Sequence, residues 1–329
     1  SFTADTNNNV GYSYGTPYVA KLANGTWVAI VTSGYNNIPE GSKYPAADGK
    51  GYIFVLNLAD GSVLKTISTN VGSTGNPSGL ARINVKVVDF SVDNTAVASY
   101  GGDLLGNMWR FDLEAGTATK LAAFGSSKPI MAAPEIAEVD GKKAVYFGTG
   151  RYLGEDDLSD GSVQTIYGIK DDGTTTVTST AQLVQQTVST SGTIRNITTN
   201  AVDWASKYGW YVDLPDTGER ITIDPQLYFG TLVFASTVPT ASACQPGGYS
   251  WLYQIDFQTG GNVKSDAAAG TKFTSPIVGL TVSKLPTGTP VIYPISADGK
   301  IPTPTELEIA PSSSTMGTKR VLWRELFND

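Results

Sequence analysis

The sequence contains no histidine among its 329 residues. Histidine is the commonest general base, the usual activator of serine and cysteine nucleophiles and the commonest ligand of transition metals. Its absence excludes Ser-His-Asp and Cys-His catalysis and histidine-based zinc chemistry. Any metal bound by this chain would therefore be held by oxygen ligands, which suit calcium or magnesium.

Cysteine, charge and long apolar runs are also scarce. The single cysteine, Cys244, cannot form a disulfide within the chain. Charged residues make up 16% of the sequence and the net charge is −7, so we expect no binding to nucleic acid or anionic membranes. The apolar stretches, such as residues 53–58, fall well short of the roughly 20 residues that a spanning helix needs. We expect no transmembrane segment.

The chain opens at Ser1 with neither an initiator methionine nor an export signal. We therefore expect it to be a fragment, from the C-terminal part of a larger secreted protein, in which residues 1–329 form a single domain. The sequence has 36 glycines and 17 prolines with 40% hydrophobic residues. Because glycine supplies tight turns and β-branched residues suit strands, this composition predicts a folded, all-β protein.

One phrase recurs along the chain: an apolar strand, a polar residue and a turn with glycine. Its copies lie at residues 52–61, 106–116, 166–173 and 251–260, and further strands are predicted at 27–32, 97–100, 143–148 and 227–236. The spacing of about 50 residues is typical of propeller blades and predicts six or seven of them. A β-sandwich is the alternative. The Thr- and Ser-rich stretch 174–199 is expected to be a loop or insertion.

Residues 101–113 read GGDLLGNMWRFDL, which closely resembles the AGDLLGNLWRFDL signature of the PilC/PilY family. Further phrases of that family lie on either side of this signature, in the same order as in the family, at residues 33–37, 147–154, 248–253 and 323–326. The resemblance implies a modified, quinoprotein-like β-propeller with no enzymatic activity. It also implies an extracellular place at the type IV pilus tip or outer-membrane surface, and roles in pilus assembly, twitching motility, adherence and virulence. The implied partners are major or minor type IV pilins and a host-cell surface receptor.

The same resemblance implies an EF-hand-like calcium loop just before the signature. The five ligand positions would be Asp89, Ser91, Asp93, Thr95 and Val97. Only two of the five carry carboxylates, and Val97 has no side-chain oxygen. Because calcium takes six to eight oxygen ligands, we expect calcium binding here to be weak, in the millimolar range, or lost.

A second acidic cluster, residues 155–161, is expected to be a solvated turn, or an ion site if no basic residue lies among its carboxylates. We expect Arg151 to pair with a nearby carboxylate such as Asp103. The tryptophans of the strand phrases are predicted to be buried between blades, and three tyrosines beside glycine-rich loops are predicted to be exposed contact residues. These residues are Trp27, Trp109, Trp251, Tyr35, Tyr44 and Tyr249.

Two further functions are compatible with the sequence. The blade phrases also resemble those of quinoprotein dehydrogenases, whose calcium and aspartate chemistry needs no histidine. A lone cysteine, however, cannot form the vicinal disulfide on which such enzymes commonly stack the quinone. A carbohydrate-binding, lectin-like propeller is the other alternative.

Overall fold

A computed structural model describes residues 2, 9–41, 43–240, 247–300 and 303–310 of the chain. Cys244 and the phrase at 323–326 lie outside these residues. The described part is built from strands, with two short 3-10 helices at Glu155–Ser159 and Thr180–Gln182. The all-β prediction is confirmed. No helix in these ranges is long and apolar enough to cross a bilayer.

The first two units are four-stranded antiparallel meanders. Unit 1 consists of β1 (Tyr18–Lys21), β2 (Trp27–Thr32), β3 (Tyr52–Asn57) and β4 (Val63–Ser68). Unit 2 consists of β5 (Ile83–Asp89), β6 (Asp93–Gly102), β7 (Asn107–Asp112) and β8 (Thr117–Ala123). A single parallel bridge between Lys21 of β1 and Thr95 of β6 joins the two meanders.

The next strands along the chain are β9 (Glu135–Val139), β10 (Lys142–Gly148), β11 (Thr165–Asp171), β12 (Val184–Gln186), β13 (Val188–Ser191), β14 (Ile194–Ile197) and β15 (Gly209–Asp213). Unit 3 has the order β9-β10-β11-β15-β12. Strands β13 and β14 leave this unit and extend the next one. The stretch 174–199 was predicted to be a loop or insertion; it contains β12, β13 and β14, which are short strands with few apolar residues.

Unit 4 contains β16 (Gln226–Tyr228), β17 (Thr231–Thr240), β18 (Gly247–Asp256) and β19 (Gly270–Phe273), with β14 and β13 added beyond β19. Unit 5 contains β20 (Ile277–Lys284), β21 (Pro290–Ser296) and β22 (Thr305–Glu306). The strand predicted at 227–236 is two strands, because Phe229 and Gly230 both adopt positive φ and form a turn. The described residues thus form five sheet units, against six or seven blades predicted for the whole chain.

The core lies between neighbouring sheets. The first strands of successive units pack against one another, β1 on β5, β5 on β9 and β9 on β16. One cluster joins the faces of units 3 and 4 through residues such as Tyr146, Trp210 and Trp251. A second cluster joins units 1 and 2 through residues such as Ile30 and Trp109. Each sheet therefore buries its apolar faces against its neighbours, as propeller blades do.

Trp109 and Trp251 are buried as predicted, but Trp27 is 44% exposed, so that prediction was wrong. Side chains alternate between the two faces of a strand, and in β2 Val28 and Ile30 take the inner face. Trp27 consequently lies on the outer face.

Tyr35 was predicted to be exposed, and this too was wrong, because it is buried. Its backbone pairs with Tyr12, and its ring centroid lies 5.8 Å from that of Tyr14. Burial raises the pKa of Tyr35 to about 12. Tyr44 and Tyr249 are half-buried.

Candidate functional site

The signature segment 101–113 covers the end of β6, the turn that follows and β7, and the carboxylate of Asp103 lies in that turn. Oδ1 accepts hydrogen bonds from the backbone N–H groups of Leu105 (3.0 Å) and Asn107 (2.9 Å). Oδ2 accepts from Asn107 Nδ2 (2.9 Å) and Trp109 Nε1 (2.8 Å). Burial raises the pKa of Asp103, although the hydrogen bonds from Trp109 and Asn107 oppose that shift. The acceptor capacity of Asp103 is therefore used within the fold.

The signature also fixes the position of the next unit. The carbonyl of Asp103 accepts a hydrogen bond of 2.9 Å from Ile130 N. Gly106 has φ +78°, and a Cβ at this position would lie 1.9 Å from Gly125 O, so only glycine fits. The signature thus consists of residues that shape a turn and its packing.

Arg151 was predicted to pair with a nearby carboxylate such as Asp103, and it does form such a pair, but with Asp157. Its Nε donates to Asp157 Oδ1 at 2.6 Å, within the acidic cluster 155–161. Asp157 is buried and its Oδ2 accepts from Leu153 N and Gly154 N. Burial would raise the pKa of Asp157, but these backbone hydrogen bonds and Arg151 hold it below its ordinary value. Asp103 is enclosed by its own turn, so the arginine bonds the local carboxylate.

Arg220 supplies a second positive charge beside the same cluster. Its guanidinium donates to the carbonyl oxygens of Arg151, Asp157 and Asp160 at 2.7 to 2.9 Å. Two arginines therefore lie among these carboxylates. Within the described ranges, no group of three or more Cys, Asp or Glu side chains is arranged to hold a metal ion.

The predicted calcium loop is the hairpin between β5 and β6. Asp89 ends β5, Asp93 begins β6, and the two are cross-strand partners. Ser91 lies in the turn and donates from its N–H (2.9 Å) and Oγ (2.6 Å) to Asp89 Oδ1. Thr95 donates from its N–H (3.0 Å) and Oγ1 (2.7 Å) to Asp93 Oδ1. Four of the five predicted ligand positions therefore lie together at the end of this hairpin.

Lys21 of unit 1 reaches the same hairpin, and its Nζ lies 3.0 Å from Asp93 Oδ1. Hydrogen bonds from Thr95 and Lys21 lower the pKa of Asp93 to about 2. The contact with Lys21 could not be predicted from the sequence, because nothing near Asp93 in the chain indicates which residue of another unit will contact it.

Val97, the fifth predicted position, lies elsewhere. It follows Asp93 by four residues on an extended strand, which places it roughly 13 Å further along. It is 45% exposed. The hairpin end offers two carboxylates, one of them already bonded to an ammonium group. These residues do not fit a tight calcium site, which requires six to eight oxygen ligands.

Val97 instead lines a cleft of about 550 Å³ between units 2 and 3. A buried ion pair forms part of the lining, in which Arg110 Nε donates to Asp171 Oδ2 at 2.7 Å and Arg110 Nη2 donates to Oδ1. The hydroxyl of Tyr100 donates to the same carboxylate. Lys86 and Glu138 form an ion pair of 3.3 Å between the two units. Arg110 and Tyr100 belong to unit 2 and Asp171 to unit 3, so the Arg110–Asp171 pair serves as an interblade contact.

Unit 4 contains a second buried ionic network, centred on Arg195 of β14. Arg195 and Glu219 are both 0% exposed, and Arg195 Nη1 donates to Glu219 Oε1 at 2.7 Å. Its Nη2 lies 2.7 Å from Asp216 Oδ1, and its guanidinium lies 3.8 Å from the ring centroid of Trp251. This network could not be predicted from the sequence, since its members come from separate strands and loops.

The chain is similar to known proteins in both sequence and structure. A family model described as "PilY1 beta-propeller domain" matches residues 3–124 and 117–201. The chain is 31% identical over 296 residues to a "Type IV pilus biogenesis factor PilY1 homolog" of Xylella fastidiosa, which covers 78% of this chain and 19% of that protein. It is 29% identical over 316 residues to the "Type IV pilus biogenesis factor PilY1" of Pseudomonas aeruginosa, which covers 78% of this chain and 26% of that protein.

The fold agrees with these matches. The crystal structure of the Pseudomonas aeruginosa PilY1 C-terminal domain superposes with a TM-score of 0.75 at 24% sequence identity, covering 93% of this chain and 74% of that one. The prediction of a modified β-propeller is confirmed. The chain spans only about a fifth to a quarter of the length of the two curated relatives. From the family model and the curated matches together, the chain belongs to the PilY1 β-propeller family.

Proposed function

We propose that this chain is the propeller module of a type IV pilus biogenesis factor and that it promotes pilus assembly without catalysing a reaction. The observation that carries the proposal is the family match across the propeller, because both relatives are named as pilus biogenesis factors. The signature residues support a scaffold role, since their polar groups bond one another. We further propose that the module acts outside the cell, at the pilus tip or outer-membrane surface.

The proposed partners and cellular roles are based on the same family match. We propose that the module contacts major or minor type IV pilins, and that the protein containing it contributes to twitching motility and to adherence to host-cell receptors. Exposed aromatic side chains support a contact surface, among them Tyr12, Tyr14 and Tyr152. A quinoprotein dehydrogenase would instead show quinone absorbance, and a lectin would bind glycans in solution.

A domain exchange tests the assembly role. We expect Pseudomonas aeruginosa PilY1 whose own propeller is replaced by this chain to restore surface pili to within about twofold of the parent strain, because the two proteins are related in sequence across the propeller. Surface pili are sheared and quantified, and twitching zones and cell adherence are measured on the same strains. A chimera carrying an unrelated propeller is the control. A chimera that is folded and exported yet yields no more pili than this control would contradict the proposal.

We also propose that calcium binding at Asp89, Ser91, Asp93 and Thr95 is weak or lost. Titration calorimetry of the purified chain is expected to show no binding tighter than millimolar, because two carboxylates supply too few ligands. The melting temperature is expected to be the same with calcium and with a chelator, in the parent chain and in Asp89→Ala and Asp93→Ala variants. Micromolar binding that disappears in both variants would overturn this proposal.

A further inference from the structure

Two acidic residues, Asp89 and Asp93, are direct cross-strand partners at the end of unit 2. In an antiparallel pair, opposed residues project from the same face with their Cβ atoms about 4.5–5.5 Å apart. Like charges in this arrangement destabilise the strand pair. The hairpin therefore favours a positive charge beside it.

That charge comes from unit 1. Lys21 is the last residue of β1, and its parallel bridge to Thr95 brings its backbone alongside β6. Its Nζ lies 3.0 Å from Asp93 Oδ1, and its side chain is 26% exposed. The same oxygen accepts two hydrogen bonds from Thr95. The backbone bridge and the ion pair together place the ammonium group at the hairpin.

We propose that the ammonium group of Lys21 is the resident cation of this hairpin and compensates the charge of Asp93, at the loop where the sequence predicted a calcium ion. An ammonium group carried on β1 is part of the folded chain, so a chelator cannot remove it. The contact between these units is then independent of the calcium concentration. The proposed role of Lys21 is based on the geometry of the hairpin and does not depend on the proposed role in pilus assembly.

A second lysine of unit 1 that contacts unit 2 provides a matched control. Lys65 Nζ, also from unit 1, donates to the carbonyl oxygens of Leu113 (2.7 Å) and Glu114 (2.5 Å) in the turn between β7 and β8. Its distance to the nearest carboxylate oxygen, Glu114 Oε2, is 4.0 Å. Lys65 therefore joins the same two units through backbone carbonyl groups and not through Asp93.

The experiment compares Lys21→Met and Lys65→Met in the full chain by thermal unfolding, with calcium chloride added or with chelator. In Lys21→Met the carboxylate of Asp93 loses its cation, and about 10 mM calcium is expected to raise the melting temperature by roughly 2 °C. The parent chain and Lys65→Met are expected to shift by much less. Adding Asp93→Asn to Lys21→Met is expected to abolish the response. Terbium luminescence, excited through tyrosine and tryptophan, gives a second measure of cation binding and is expected to be stronger in Lys21→Met than in the parent chain or Lys65→Met.

Equal calcium responses in Lys21→Met and Lys65→Met would overturn the proposal, as would a parent chain that responds as strongly as Lys21→Met. Should Lys21→Met fail to fold, Lys21→Gln removes the charge and keeps a polar side chain, and the same calcium response is expected. Lys21→Arg keeps a positive charge, and we expect no response.

Discussion

Replacing Asp103 with alanine is expected to lower the free energy of unfolding by about 4 kcal/mol. The carboxylate is buried and accepts hydrogen bonds from Leu105 N, Asn107 N, Asn107 Nδ2 and Trp109 Nε1. Without it these donors are left unsatisfied inside the protein, and each costs about 1–3 kcal/mol when it finds no other partner. Urea unfolding followed by tryptophan fluorescence at pH 7 measures the loss.

Asp112 provides the control in the same unit. It is exposed, and its Oδ1 accepts from Glu114 N (2.9 Å) and Ala115 N (2.8 Å). Because water can replace a lost partner at the surface, Asp112→Ala is expected to cost below about 1 kcal/mol. Similar losses in both variants would show that burial of Asp103 is not the cause. They would also remove our explanation of why the signature contains this residue.

The second large effect is expected at Arg195. Replacing it with methionine leaves Glu219 fully buried without a cation, and breaking a buried ion pair in this way costs about 3–5 kcal/mol. Glu219 keeps hydrogen bonds from Ser236 Oγ and Tyr253 OH, which offset only part of the loss. Urea unfolding followed by tryptophan fluorescence measures the loss in free energy of unfolding. Replacing Arg195 and Glu219 together, with methionine and glutamine, is expected to be less harmful than Arg195→Met alone.

Arg151→Met is the matched control for Arg195. Its side chain is 46% exposed, and its partner Asp157 retains the N–H groups of Leu153 and Gly154. The expected loss is below about 1 kcal/mol, since exposed ion pairs contribute little. If the double variant at Arg195 and Glu219 were as unstable as Arg195→Met, the uncompensated charge of Glu219 would not be the reason for the instability.

The strands and turns could largely be read from the sequence. The strand predicted at 27–32 is β2, and the glycine turns after residues 57 and 112 close short hairpins as expected. The turn after residue 256 does not, because the partner strand β19 begins only at Gly270. These features depend on neighbouring residues, so they show in short windows of sequence. The strands β12 to β14 were missed because they are short, polar and held by strands of other parts of the chain.

The candidate site was predicted only in part. Asp89, Ser91, Asp93 and Thr95 do lie together, because they are close in sequence and share one hairpin. Val97 does not join them, since β6 continues as an extended strand from Asp93. Whether a position belongs to a loop or to a strand depends on its pairing with β5, which its own residue type does not reveal.

By itself the sequence determined the all-β class, the recurring hairpins and the family, because these depend on residue types and on the order of phrases along the chain. Only the tertiary structure decided which charges meet: Lys21 with Asp93, Arg195 with Glu219, and Arg151 with Asp157 rather than Asp103. It also decided that Tyr35 is covered and Trp27 is not. The physical reason is that burial and ion pairing depend on how separate units pack, and that packing is a property of the assembled sheets.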